Sequence, residues 1–240
     1  MADTDPRSRL ALALDVADMP AALSLARRLR PWFGVAKIGL ELFGAAGPSA
    51  VSVLRSEGYD VFLDLKLHDI PTTVGKAARV LGELGVTYTT VHTQGGVAML
   101  EAAVAGMLDG ASFIGSREPV VLGVTVLTSD ADAPPEVLLE RVKMAAAAGC
   151  RGVVCAQPDL DVVRAAAPGI LTVVPGIRPA GAAVDDQVRV ATAMSAIRSG
   201  ADLLVVGRAV TGAADPEAAA AGIADEVTEA LSTTDVAKLL

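Results

Sequence analysis

Between residues 64 and 71 the chain reads Asp64-Leu65-Lys66-Leu67-His68-Asp69-Ile70-Pro71, a run in which carboxylates flank a lysine. In an extended strand, residues two apart project from the same face. Asp64 and Lys66 therefore point one way, and the apolar Leu63 and Leu65 point the other, into a helix layer. Burial lowers a lysine pKa, and neighbouring carboxylates raise it. With Asp64 before it and Asp69 after it, Lys66 is expected to stay an ammonium. That makes it an acid and a fixed charge rather than a Schiff-base nucleophile. His68 is expected to point away from this pair and to serve as structural support.

Further charges fall at comparable places. Asp15 closes the apolar run Leu10–Leu14, and Lys37 lies inside Val35-Ala36-Lys37-Ile38-Gly39. Two aspartates and two lysines would then crowd one mouth, where each charge must be paired to be tolerated. Such a cluster is also a chemical tool. Gly207-Arg208 suits an anion: glycine lets backbone N–H groups approach, and arginine offers a fork of donors. Arg178, in Pro175-Gly176-Ile177-Arg178, could assist from a neighbouring loop. The small-residue stretch from Arg178 to Gln187 could form a closing lid. His92 is open to a structural or a site role, and Trp32 and Phe33 are expected to pack as a helix-terminal plug.

The elements that must position these groups recur at intervals. Candidate strands are Leu10–Leu14, Val35–Leu40, Val61–Lys66, Val86–His92, Val120–Leu127, Gly152–Ala156, Ile170–Val174 and Leu203–Val206. Helical patterns cover Pro20–Leu29, Pro48–Glu57, Thr72–Leu84, Pro134–Ala148 and Asp185–Ser199, with glycines just past several ends as C-cap signals. Asp215-Pro216-Glu217 opens a last helix with a cap, a proline and an early acid. Eight βα units predict a single-domain (β/α)8 TIM barrel over residues 1–240. An open doubly wound sheet is the runner-up, but Asp15-Val16-Ala17-Asp18 stands where its glycine fingerprint would be. In such a barrel, chemistry belongs at the C-terminal ends of the strands, and the loops after strands seven and eight commonly hold phosphate. That places Asp15, Lys37, Asp64, Lys66, His92, Thr128, Ser129, Gln157, Arg178 and Arg208 at one end.

Composition narrows the function. Hydrophobic residues make up 52% and aromatics 3%, so the core must be built from Ala, Val, Leu and Ile. A formal charge of −8 argues against a nucleic-acid partner but permits a local basic pocket for a small anionic substrate. The polar stretch Met1–Arg9 and the short run Leu10–Leu14 suggest no secretory h-region, and no membrane span is expected. Cys150 and Cys155 fit no zinc or redox spacing and are expected to be buried thiols of a cytoplasmic protein.

The pattern Asp64-x-Lys66-x-x-Asp69-Ile70-Pro71 resembles the signature of the orotidine 5'-phosphate decarboxylase family. Other motifs match in the same order: Leu12-Ala13-Leu14-Asp15, Lys37-Ile38-Gly39-x-Glu41-Leu42-Phe43, Val91-His92, Leu127-Thr128-Ser129, Pro175-Gly176-Ile177-Arg178, Asp186-Gln187 and Val206-Gly207-Arg208. The resemblance spans about residues 10 to 230. It implies loss of CO2 from orotidine 5'-phosphate to give UMP, the last step of pyrimidine biosynthesis, with no metal and no cofactor. It also implies roles. Lys66 would stabilise and protonate the carbanion at C6, with Asp64 beside the departing carboxylate. Asp15 and Lys37 would hold the ribose hydroxyls, and Lys37 would also join the charge network. Thr128 would contact the pyrimidine, and Gln187 would span base and phosphate. Gly207 and Arg208 would grip the phosphate, with Pro175 and Arg178 shaping that side. Asp69 and Thr73 would be donated across a homodimer interface, so that active sites are shared. Magnesium-dependent relatives, such as 3-keto-L-gulonate 6-phosphate decarboxylase or hexulose 6-phosphate synthase, share the Asp-x-Lys-x-x-Asp run. They carry an acidic residue where this chain has Lys37, and a lysine there repels a cation. A non-catalytic phosphosugar-binding barrel would be expected to lose Lys66 or Asp64; this chain keeps both.

Overall fold

The computed structural model describes residues 5–127, 134–179 and 191–237, with side chains described up to residue 233. Eight parallel strands close into a barrel: β1 (Leu10–Ala13), β2 (Val35–Ile38), β3 (Asp60–Leu67), β4 (Tyr88–His92), β5 (Val120–Val124), β6 (Gly152–Val154), β7 (Leu171–Val174) and β8 (Leu203–Val206). Each pairs with the next, and β8 returns to β1 through Leu10↔Leu204 and Leu12↔Val206. The helices around them are α1 (Met19–Leu29), α2 (Leu40–Ala46), α3 (Ser49–Ser56), α4 (Pro71–Glu83), α5 (Val97–Phe113), α6 (Pro135–Ala147), α7 (Leu160–Ala166), α8 (Ala193–Arg198), α9 (Arg208–Thr211) and α10 (Pro216–Ala237). This is the (β/α)8 TIM barrel that the strand spacing predicts.

Two apolar layers hold it together. Leu10, Leu12, Leu14, Ile38, Val61 and Leu63 face outward into the helices. Ala11, Ala13, Val35, Phe62, Leu122, Val173, Leu203 and Val205 fill the interior. Strands buried on both faces read as continuous apolar runs, as these do. Each fully buried Leu or Phe contributes roughly 1.5–3 kcal/mol relative to exposure. Helix ends follow the glycine signals: Gly58, Gly85, Gly149 and Gly200 have φ of +85°, +72°, +83° and +90°. Asp215 caps α10 by accepting from the N–H groups of Glu217 and Ala218. Phe33 is fully buried and Trp32 packs at the core margin, as a plug should.

Several boundaries differ from the expected ones. Residue 40 begins α2 rather than ending a strand, because Gly39 is already its N-cap. Strand β5 stops at Val124 instead of Leu127; the Thr125 hydroxyl then donates to the Val154 carbonyl. The helix expected over Asp185–Ser199 begins at Ala193. Thr192 is its extended N-cap, and Ala191 sits in a β-bridge with Ile177. Residues 185–190 of that expected helix lie outside the described residues. Helices α2, α5, α7 and the short α9 have no counterpart among the expected helices. In α5, glycines stand in the helix interior because α4 comes very close: a Cβ on Gly106 would lie 2.2 Å from the Gly75 carbonyl oxygen, and one on Gly110 would lie 2.0 Å from that of Arg79.

Candidate active site

The C-terminal ends of the strands surround a cavity of about 350 Å³, within the range of small-molecule sites. Its floor is the barrel's inner layer: Ala13, Phe62, Val124, Val154, Val173 and Val205. Small Ala13 on β1 leaves space above the core that a larger residue would fill.

One wall is ionic. Lys66 Nζ stands 2.9 Å from both Asp64 carboxylate oxygens. Lys37 Nζ lies 3.6 Å from Asp64 Oδ2 and donates to Asp15 Oδ1 at 3.0 Å. Asp15, Lys37, Asp64 and Lys66 thus form one chain of alternating sign along the cavity lining. Lys37 is buried and the Asp64 side chain is 13% exposed, whereas the Asp15 side chain is 57% exposed at the mouth. Burial works against the charge on Asp64. Lys37 and Lys66 outweigh it, and its carboxyl is held below the usual carboxylate range. Gly39 explains itself here: a Cβ on it would lie 2.6 Å from Asp15 Oδ1, so only glycine leaves room for the Asp15–Lys37 pair.

Alternation along β3 carries Asp64 and Lys66 inward, while Leu63, Leu65 and Leu67 join the outer apolar layer. The backbone does not stay regular, however. Lys66 has φ of +50°, and among the described residues it is the only non-glycine with positive φ. That conformation costs a β-carbon-bearing residue roughly 1–3 kcal/mol, and such strain persists only where surroundings over-determine it. The β3–β4 register shifts across the same stretch, between Leu63 and Leu67. Thr90 on β4 fills the gap. Its Oγ1 accepts from Lys66 N and donates to Asp64 Oδ1, both at 2.9 Å. Thr90 is fully buried, and no charge or glycine marked it in the sequence. The available signal was its place two residues before His92, on the same face of one strand.

Another arc of the lining is basic and glycine-rich. Pro175, Gly176 and Arg178 follow β7, and Gly207 and Arg208 follow β8. Arg178 is buried, and its Nη1 donates to the Ile177 carbonyl. Ala191 staples this loop: Arg178 N donates to Ala191 O at 2.9 Å, and Ala191 N to Gly176 O at 3.3 Å. Arg208 opens α9 directly after Gly207. Because β8 pairs with β1, this basic arc adjoins the ionic wall on the Asp15 side, and the lining offers paired cations and anions beside anion-binding donors.

Some expected members are not gathered here. Asp69 and Thr73 are exposed beyond β3 and are absent from the cavity lining. Asp69 accepts from its neighbour Ile70 N, and among the described residues it forms no ion pair with Lys66. Asp64 and not Asp69 is therefore the carboxylate beside that ammonium. Gln157 is also turned away, donating to Ser199 Oγ. Thr128, Ser129 and Gln187 lie outside the described residues. His68 stands past the end of β3 with its ring 5.6 Å from that of His92. Burial, then His68, Lys66 and Arg141, lower the pKa of His92, which favours the neutral imidazole. Neither histidine lines the cavity. Cys150 and Cys155 are buried, and burial pushes the Cys150 thiol up to about 12.

Comparison with known proteins agrees with this geometry. Residues 8–223 match the model of the orotidine 5'-phosphate decarboxylase / HUMPS family. The chain is 49% identical over 230 residues to an orotidine 5'-phosphate decarboxylase of Anaeromyxobacter sp. (strain K), covering 91% of this chain and 98% of that protein. It is 45% identical over 233 residues to the enzyme of that name from Moorella thermoacetica, covering 92% of each. The crystal structure of orotidine 5'-phosphate decarboxylase from Lactobacillus acidophilus superposes with a TM-score of 0.77 at 36% identity, over 91% of this chain and 98% of that one.

Proposed function

The chain belongs to the orotidine 5'-phosphate decarboxylase / HUMPS family, and we propose that it decarboxylates orotidine 5'-phosphate to UMP with Lys66 as the acid. The observation that carries this reading is the alternating chain Asp15–Lys37–Asp64–Lys66 lining one cavity together with Gly207 and Arg208.

The phosphate is gripped by Arg208 and the Gly207 backbone, with Arg178 and Pro175 beside them. Its binding energy serves closure and orientation, because the phosphate itself does not react. Asp15 and Lys37 take the ribose hydroxyls; Thr128 and Gln187 complete the contacts to base and phosphate. The C6 carboxylate then lies beside Asp64. The C6–carboxylate bond breaks, CO2 leaves, and the electron pair stays on C6. The Lys66 ammonium meets that charge as it develops, a preorganised electrostatic contribution. It then gives C6 its proton, and solvent restores the ammonium. No metal or cofactor enters this sequence of steps. Lys37 stands where a cation would be repelled, which disfavours the magnesium-dependent reading.

We place Asp69 and Thr73 in the site of a second copy, within a homodimer whose active sites are shared. Three things support this. Both residues point away from their own cavity. Ile70 between them is exposed. The exposed apolar residues Leu40, Val97 and Leu127 follow β2, β4 and β5 at the same end of the barrel. Among the described residues no helix is long and apolar enough to cross a membrane. With its two cysteines buried, we assign the enzyme to the cytoplasm, as one barrel domain.

The deciding experiment measures UMP and CO2 formed from orotidine 5'-phosphate by metal-stripped protein. Stoichiometric release, unchanged by EDTA, is expected. Absence of turnover, or turnover only with magnesium, would sink the reading.

A further inference from the structure

The β3–β4 ladder pairs Leu63 with Thr89 and next pairs Leu67 with Val91. Four residue steps on one strand run beside two on the other, and Lys66 absorbs the excess at φ of +50°. The Lys66 N–H is taken there by a side chain, Thr90 Oγ1. A hydroxyl has one proton to give. The Lys66 N–H can only donate and an ionised carboxylate can only accept, so the polarity of the Thr90 hydroxyl is forced: it accepts from the main chain of Lys66 and donates to Asp64 Oδ1. The same Oδ1 receives Lys66 Nζ at 2.9 Å. A closed circuit results, running from Lys66 main chain through Thr90 and Asp64 to the Lys66 ammonium. Thr90 has no solvent exposure, so water cannot substitute for it.

We propose that Thr90 is a positioning residue of the reaction, its hydroxyl locking the Lys66 main chain to the Asp64 carboxylate so that ammonium and carboxylate act as one rigid unit. The inference rests on the reading of Lys66 and Asp64 as the reacting groups. It predicts that losing the hydroxyl harms the chemical step and leaves the distant phosphate grip intact.

The test compares Thr90→Val, which keeps the shape and removes the hydroxyl, with Thr90→Ser, which keeps the hydroxyl. Steady-state kinetics on orotidine 5'-phosphate are measured together with amide exchange at Lys66. Thr90→Val is expected to lower kcat about 10²-fold, the scale of small misplacements at a reacting centre, with KM within about threefold. Thr90→Ser is expected to recover kcat to within about tenfold of wild type. Lys66 amide protection should fall in the valine variant and persist in the serine variant. If Thr90→Val does not fold, Thr90→Ala takes its place with the same expectations. A valine variant with unchanged kcat overturns the role, as does a serine variant as impaired as valine, or a KM that rises in step with the loss of kcat. A wild-type chain that releases no CO2 overturns the assigned reaction and this role with it. An active wild type with unaltered Thr90 variants overturns this role alone.

Discussion

Both ends of the barrel carry networks of aspartate, basic residues and threonine, and they do opposite things. At the N-terminal end, Arg117 pairs with Asp60 and donates to Thr87, while Arg9 reaches Asp202, whose carboxylate accepts from the main chain and hydroxyl of Thr172. At the C-terminal end stands the chain Asp15–Lys37–Asp64–Lys66. The residue types are nearly the same, but the environment is not. The Arg117 and Asp60 side chains are 61% and 45% exposed; those of Lys37 and Asp64 are 8% and 13% exposed. Water screens the first pair, so it stitches loops at little energetic consequence. The second is largely shielded from water, so its charges act on one another more strongly than the first pair's do.

The cations differ as well. Arginine keeps its proton and spreads its charge over a planar fork. Lysine concentrates charge on one atom and can release a proton. The N-terminal network uses arginine, whereas the chain from Asp15 to Asp64 uses lysine; Arg178 and Arg208 stand at the C-terminal end too, but on the basic part of the lining. Strain is divided in the same way: the sole positive-φ non-glycine residue among those described is Lys66, at the buried end.

Substitutions should widen this contrast in a definite order. Lys66→Ala should cost most. Proton transfer is worth about 10²–10⁴ and preorganised charge about 10²–10³, so kcat should fall by about 10⁴ or more while the protein stays folded. Near-normal turnover would remove Lys66 from the chemistry. Next, Asp69→Ala chains mixed with Lys66→Ala chains should regain activity that neither has alone, through hybrid sites. Proven subunit exchange without recovery would confine Asp69 to its own chain. A third test is pH. Asp64 is held below its ordinary value of 3.8, so its ionised form stabilises the fold above that value, and this contribution is lost as pH falls through the lower folded value. The melting-temperature gap between wild type and Asp64→Asn should therefore stay level from about pH 8 to about pH 5 and close only below the ordinary value. A gap that closes near neutrality would contradict the lowered pKa. Arg117→Ala should do least: about 0.2–1 kcal/mol of stability and no change in kcat. A large kinetic effect there would erase the distinction between the two ends.

Much of this was legible in the residues. The strand runs, the glycine C-caps and the Asp215 cap are local signals, and β8 falls on its expected residues. The ionic wall was legible because charged residues at strand ends are conspicuous. What escaped was whatever depends on a neighbour. Helix α5 hides because its glycines answer to the proximity of α4, not to its own propensity. Asp69 was expected to serve a second copy rather than its own barrel, and it does stand exposed past the end of β3, but which site it serves is not written in its spacing. Thr90 is an ordinary strand threonine until the β3 backbone is seen to bulge against it.

The sequence by itself determined the barrel and the pairing of Asp64 with Lys66, because apolar alternation and charge burial act through near neighbours along the chain. Only the tertiary structure decided how the pair is held. The left-handed backbone of Lys66, the room Gly39 leaves for Asp15 and the Thr90 hydroxyl between Lys66 and Asp64 arise where one strand meets another, and close packing between strands is not written in the spacing of either.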